Sequence, residues 1–272
     1  MTFLIAYPVI DPVLVSIGPL PIRWYALAYI VGLVLGWAYV RALAANAALW
    51  RGAARPDAET VDDLLLYAAL GVVLGGRLGY VLFYNPAYYL AHPLEVVKVW
   101  EGGMSFHGGL FGAGVGVFLL ARRRALSALT LADVAAAAAP IGLFLGRLAN
   151  FIKPELWGRP GDVPWAMIFP GAGPLPRHPS QLYEAALEGL VLFALLYVAA
   201  RRGALARPGL VAGLFAIGYG CARIACEFFR EPDPQLGFLF GGATMGMLLS
   251  LPLIAVGAGL LAHALRREAV PA

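Results

Sequence analysis

Arg147 and Asn150 stand three residues apart, and Tyr219, Arg223 and Glu227 stand four apart, within stretches that are otherwise apolar. At those spacings each set lines one face of a helix. Arg223 then lies about 6 Å along the axis from Glu227, and Tyr219 about 6 Å further. An ion pair between Arg223 and Glu227 accounts for two of these groups but leaves Arg147, and a further in-helix arginine, Arg77, without partners. That favours an anion shared among the arginines, and guanidinium groups recognise phosphate bidentately.

A third group, Ser105-Phe106-His107-Gly108-Gly109, opens another apolar run. Imidazole, with an ordinary pKa of about 6.5, is a workable proton acceptor, and the flanking glycines leave room for a substrate. The run Gly146 to Gly158 adds Glu155, Trp157 and Gly158 just after Pro154 stops the helix. These residue types build a polar pocket at a boundary between water and lipid. Other chemistries lack their signatures. There is no Gly-x-Ser-x-Gly nucleophile motif and no Walker pattern, and His92, His107, His178 and His263 show no His-Glu-x-x-His spacing, so a serine hydrolase, a Walker-type phosphate loop and a zinc site are all unsupported. Cys221 and Cys226 are five positions apart in one apolar run, about 500° of helical turn, so they diverge and read as packing residues.

The elements that must position these groups are membrane-spanning helices. The 272 residues are 61% hydrophobic and only 13% charged, and mean hydropathy is +0.76, whereas charges make up about a quarter of an ordinary soluble domain. The fold expected is therefore an all-α, polytopic integral membrane protein forming one domain over 1–272. A span needs about 20 apolar residues. Seven stretches approach this: Trp24 to Val40, Leu64 to Phe83, Met104 to Ala121, Leu131 to Phe151, Leu182 to Ala200, Gly209 to Phe229, and Phe238 to Leu261. Residues 1–22, broken by prolines and without a basic start, read as an interfacial arm rather than a cleavable signal. Residues 152–180 read as an outward loop or small extracytoplasmic head, ending in Arg177-His178-Pro179-Ser180, with Ser180 expected to cap the next helix and Glu184 near its first turn.

Basic residues orient the bundle. Arg41, Arg51, Arg55, Arg122, Arg123, Arg124, Arg201, Arg202, Arg207, Arg266 and Arg267 follow the odd-numbered spans, against six on the other side. The N-terminus is thus expected outside and the C-terminus in the cytoplasm. A pI of about 9.2 admits nucleic acid as a partner, but arginines placed this way speak for a lipid bilayer instead. Arg77, Arg147 and Arg223 lie inside spans toward their outer ends, where each costs about 2.5–3.5 kcal/mol unless it faces a cavity or partner. Gly71, Gly75, Gly79 and Gly108, Gly112, Gly116 recur every fourth residue and read as a close helix-packing surface. An anion or lipid transporter also explains buried arginines, but the inward halves of the spans are nearly all Ala, Leu, Val and Gly, which disfavours passage. A non-catalytic lipid-binding or assembly protein leaves the His107 group unused.

Four motifs in order, Ser105 to Gly109, Gly146-Arg147-x-x-Asn150-Phe151 with Glu155 and Gly158, Arg177 to Glu184, and Ile217-Gly218-Tyr219-Gly220 leading to Arg223, Glu227 and Arg230, span most of the chain. With them the sequence resembles the bacterial phosphatidylglycerol:prolipoprotein diacylglyceryl transferases. It departs from that pattern at Lys153, where the family usually has asparagine. The resemblance implies an enzyme of the bacterial inner membrane. That enzyme transfers the diacylglyceryl group of phosphatidylglycerol to the lipobox cysteine of a prolipoprotein signal peptide, releases glycerol phosphate, and uses no cofactor. On that reading Arg147 and Arg223 clamp the phosphate and His107 deprotonates the thiol. Tyr25, Asn150, Glu155, Gly158 and Tyr219 line the substrate pocket, with Glu227 and Arg77 as further contacts.

Overall fold

A computed structural model describes residues 5–232 and 237–266. A two-stranded hairpin comes first, β1 (Val13–Ile17) and β2 (Leu20–Arg23), paired antiparallel with Ile17 opposite Leu20 and turning at Gly18, whose φ of 58° suits glycine. Eight helices follow among the described residues: α1 (Trp24–Ala45), α2 (Ala58–Phe83), the short α3 (Pro86–Ala91), α4 (Phe106–Arg123), α5 (Ala128–Ile152), α6 (Ser180–Arg201), α7 (Leu210–Glu227) and α8 (Met245–Arg266).

A helix stands in each of the seven expected stretches. Six of them, α1, α2, α5, α6, α7 and α8, are long and apolar enough to cross a membrane. The seventh, α4, is less apolar than these. This helix has 18 residues, and its glycines and terminal Arg122 and Arg123 dilute its hydropathy. Its place is set by packing instead: α4 runs antiparallel along α2, the two glycine rows meeting backbone to backbone. A Cβ at Gly75 would lie 2.7 Å from the Gly112 Cα, and one at Gly79 would lie 2.9 Å from the Gly108 Cα. Such contacts let dispersion act between whole backbones.

Local signals start the helices. The Asp57 side chain accepts from the Thr60 N–H at 2.7 Å to begin α2, and Ser105 Oγ accepts from the Gly108 N–H at 3.2 Å to begin α4. Ser180 is not the cap expected of it. Its hydroxyl donates to the Leu156 carbonyl at 3.1 Å, and α6 starts after Pro179 without a side-chain cap. Within α6, residues Ala185–Val191 wind as a π-helix before regular α geometry resumes.

The largest buried cluster, including Trp50, Leu120, Leu131, Val134, Leu196 and Leu205, sits at one end of the bundle. Large apolar side chains such as Leu33, Leu74, Leu78, Leu195 and Leu251 are exposed on the outside of the helices, as a hydrocarbon surrounding requires. At the other end a second cluster of Tyr7, Phe151, Met167 and Phe169 underlies the segment between α5 and α6. That segment folds back on itself through Met167 and Arg177, which exchange backbone hydrogen bonds of 2.9 and 2.8 Å, and it is tied to the end of α7 where the Arg159 N–H donates to the Phe229 carbonyl at 2.8 Å. The N-terminal arm is anchored here too, Tyr7 donating to the Phe151 carbonyl at 2.6 Å.

Candidate active site

Three helices bring their charges together at the end of the bundle beneath this head. From α5, Arg147 donates through Nη2 to Glu188 Oε2 at 3.1 Å and reaches Glu184 Oε2 at 3.4 Å. From α7, Arg223 pairs with Glu184 and with Glu227 one turn away, and lies 3.6 Å from Glu188 Oε1. Arg230, just past α7, lies 3.2 Å from Glu184 Oε1. Glu184 and Glu188 are fully buried, while the Arg147 and Arg223 side chains keep 15% and 13% exposure. Three guanidinium groups thus meet three carboxylates, and the cluster is electrically neutral when all are ionised.

This overturns one premise of the sequence reading. Arg147 is not awaiting a partner, because Glu184 and Glu188 were already there. Their signal was available: Gln181, Glu184 and Glu188 stand at helical spacing in an apolar stretch, where a carboxylate is as costly as a guanidinium. By position alone Glu184 reads as a charge near the first turn of a helix. The expected Arg223–Glu227 pair does form, as part of the larger network.

Arg77 is also partnered, and elsewhere. It is buried, and its guanidinium donates to the carbonyls of Glu95 at 2.5 Å, Val96 at 2.7 Å and Gly102 at 2.6 Å, with the Tyr89 ring 5.1 Å away. Its donors are spent on holding the 93–103 segment against α2, so it is not available as a phosphate ligand in this arrangement.

The Gly146 to Gly158 stretch forms a second, smaller constellation. Asn150 Nδ2 donates to Glu155 Oε1 at 2.9 Å, and Lys153 Nζ lies 2.7 Å from Glu155 Oε2. Gln181 donates to the Glu155 backbone carbonyl at 2.7 Å, which ties this loop to α6. The Lys153 ammonium also lies 5.8 Å from the centre of the Tyr25 ring, and Tyr25 is within 3.4 Å of the Tyr29 hydroxyl. Gly158 sits where the head meets α7, and a Cβ there would come within 2.6 Å of the Phe229 carbonyl and 2.8 Å of the His178 Cβ. Its role is close backbone approach. Tyr219 lies one turn before Arg223 and stacks on Phe215 at 5.8 Å.

His107 lies in the first turn of α4 with its ring exposed and 5.7 Å from that of Phe106. Among the described residues it makes no side-chain hydrogen bond, and it is not part of the arginine–glutamate network. Within the head, His178 contacts the Tyr183 hydroxyl at 3.1 Å, and Trp165 donates to the same oxygen at 2.6 Å. Burial pushes the His178 imidazole below its ordinary pKa. Cys221 and Cys226 are both free thiols, and the described residues hold no group of His, Cys, Asp and Glu fit to bind a metal.

A family model described as prolipoprotein diacylglyceryl transferase matches residues 12–263. The chain is 78% identical over 272 residues to the phosphatidylglycerol–prolipoprotein diacylglyceryl transferase of Methylocella silvestris, covering 100% of both sequences. It is 68% identical to the protein of that name from Beijerinckia indica, covering 94% of each, and 60% identical to that from Nitrobacter hamburgensis, covering 98% of this chain and 92% of the relative.

Proposed function

Because this chain belongs to the prolipoprotein diacylglyceryl transferase family, we propose that its buried arginine–glutamate cluster is where the headgroup of phosphatidylglycerol is held during transfer to a prolipoprotein. The supporting observation is that Arg147 and Arg223 are pinned by carboxylates on one side while each keeps an exposed edge. A guanidinium has five N–H donors, and the carboxylates leave part of each set open.

The reaction breaks the bond between the terminal glycerol carbon of the diacylglyceryl group and a phosphate oxygen, and forms a carbon–sulfur bond to the lipobox cysteine. The thiol proton goes to a base, and the bonding electrons leave with the phosphate. A phosphodiester carrying one negative charge becomes a phosphomonoester carrying about 1.5 to 2. Charge therefore grows on the leaving group. Donors fixed in a dry site favour the transition state over the bound lipid, which is the requirement for catalysis. The cluster's neutrality fits this. The glutamates hold the guanidinium planes in place without leaving an excess of positive charge that would grip the starting lipid as tightly as the product.

A thiol with an ordinary pKa near 8.5 is only a few per cent ionised at neutral pH. His107 is our candidate base, with both ring nitrogens free among the described residues. Asn150, Glu155, Tyr25 and Tyr219 are assigned to the pocket wall, Gly158 to the packing of the head over it, and Glu227 to orienting Arg223. In this reading the bundle lies in the bacterial inner membrane with the head and N-terminus outside and the C-terminus in the cytoplasm, where the loops rich in arginine fall.

The test is to incubate the purified protein with phosphatidylglycerol and a lipobox peptide and to look for the diacylglyceryl mass increment on the peptide cysteine. No increment from a folded protein sinks the enzyme reading. The His107→Gln variant is expected to lose about 10²- to 10⁴-fold in rate, with a changed pH profile. A loss of only a fewfold across pH would remove His107 as the base.

A further inference from the structure

A cavity of about 420 Å³ opens at the end of the bundle opposite the charged cluster, where α6 ends and α7 begins. Its lining combines Arg51, Arg202 and Arg207 with apolar side chains that include Leu195, Val198 and Leu214. Glu188 of the charged cluster and Arg202 are separated by about 21 Å of helix, so the two sites are distinct.

The arginines of this cavity differ from others at the same end. Arg41 pairs with Asp62 at 3.0 Å, and Arg124 pairs with Glu59 at 2.7 Å and Asp63 at 2.6 Å. No Asp or Glu lines the cavity, and among the described residues the Arg202 and Arg207 side chains make no ion pair or hydrogen bond. Arg51 is held in place but not neutralised. It adopts φ 47° and donates through Nη2 to the Arg202 carbonyl at 2.6 Å. Its guanidinium lies over Gly203, whose φ of 87° suits glycine and where a Cβ would be 2.6 Å from the Arg51 Cζ. Three positive charges thus face one cavity without a counterion.

The other half of the lining limits what the counterion is. Leu195 and Val198 are exposed on α6, and the cavity continues from the guanidinium groups onto this apolar surface. A free phosphate uses only the charged half, whereas a lipid with an anionic headgroup uses both. We propose that this cavity binds an anionic phospholipid of the leaflet at this end of the bundle. The assignment rests on the membrane-spanning reading and not on the transferase reading. Juxtamembrane arginines that meet anionic headgroups are a recognised source of such binding.

The test uses the protein in phosphatidylcholine nanodiscs doped with photoreactive phosphatidylserine, or with photoreactive phosphatidylcholine as the neutral probe, and maps cross-linked peptides by mass spectrometry. Phosphatidylserine is expected to label residues 195–214 well above phosphatidylcholine. R202Q, which alters an exposed side chain, should weaken that labelling about 5-fold in affinity, and R202Q/R207Q about 30-fold. Transfer to a lipobox peptide should stay at the wild-type level in both. Equal labelling by the two probes, or labelling unchanged in R202Q, overturns the proposal. So does displacement of the lipid probe by millimolar inorganic phosphate, which would make the cavity a site for the free anion.

Discussion

Arg223 contacts three carboxylates from two helices, Glu184 and Glu188 of α6 and Glu227 of its own α7. A planar fork can do this because its donors point in fixed, divergent directions, while an ammonium is a single point of charge. Arg223→Lys is therefore expected to lower kcat/KM by about 100-fold or more with the fold retained. Near-wild-type transfer by this variant would end the case for a guanidinium clamp. At this scale the sequence was informative where helical spacing sufficed. Arg147 with Asn150, and Arg223 with Glu227, stand where their spacing puts them. Glu184 and Glu188 escaped it because their meaning depends on which neighbours α6 turns toward, and Arg230 entered only as the end of a motif. A glutamate four residues into a helix reads as solvated until the head above it is known to cover that end. His107 was found by its type and its glycine neighbours, and those say nothing about the distance from its ring to the charges.

The helices show the same division between what a local pattern dictates and what packing adds. Glycines at every fourth position of α2 and α4 gave their contact surface directly. The carboxylate of Asp133 was silent in sequence. It is fully buried on α5 and accepts the backbone N–H groups of Gly209 and Ala212, both at 2.7 Å, so one helix caps the start of another. Asp133→Ala strands two buried donors and should cost about 2–4 kcal/mol. A drop in thermal midpoint in detergent, with transfer per folded molecule unchanged, is the expected result. In the head, burial lowers the His178 pKa, against a smaller opposing influence from Asp162. The unfolded head then binds the extra proton first, so stability is fully present above about pH 6.5 and falls as the pH drops below it. Amide exchange in residues 157–178, corrected for intrinsic rates, should quicken between pH 7.5 and 5.5, and His178→Gln should flatten that dependence. The N-terminal hairpin was read only as an arm, since Pro8, Pro12 and Pro19 hide the strand pattern that Val13 to Ile17 contains.

For the molecule as a whole, composition was enough to announce a bundle in lipid, because 13% charged residues cannot cover a soluble surface. It was not enough to place α4, whose low hydropathy is offset by backbone contact with α2. The two ends of the bundle carry opposite electrostatic designs. One matches three guanidinium groups with three carboxylates beneath a head. The other leaves three guanidinium groups facing a cavity. The π-helical turn Ala185–Val191 begins directly after Glu184 on α6 and includes Glu188 of the charged cluster. A π-turn holds one residue more than the α-helix it interrupts, so it fits an extra residue between the upper and lower parts of α6. Deleting Leu187 should rewind the segment to regular α geometry, which leaves residues 180–184 near their present register but brings Glu188 from four to three positions after Glu184. Glu188 would leave Arg147 and Arg223, and transfer should fall by at least about 10-fold while helical content by circular dichroism is kept. A shortened chain that retained full activity would mean the extra residue is a passive irregularity. The expected loss would mean that the length of α6, counted to a single residue, is part of what aligns the charges.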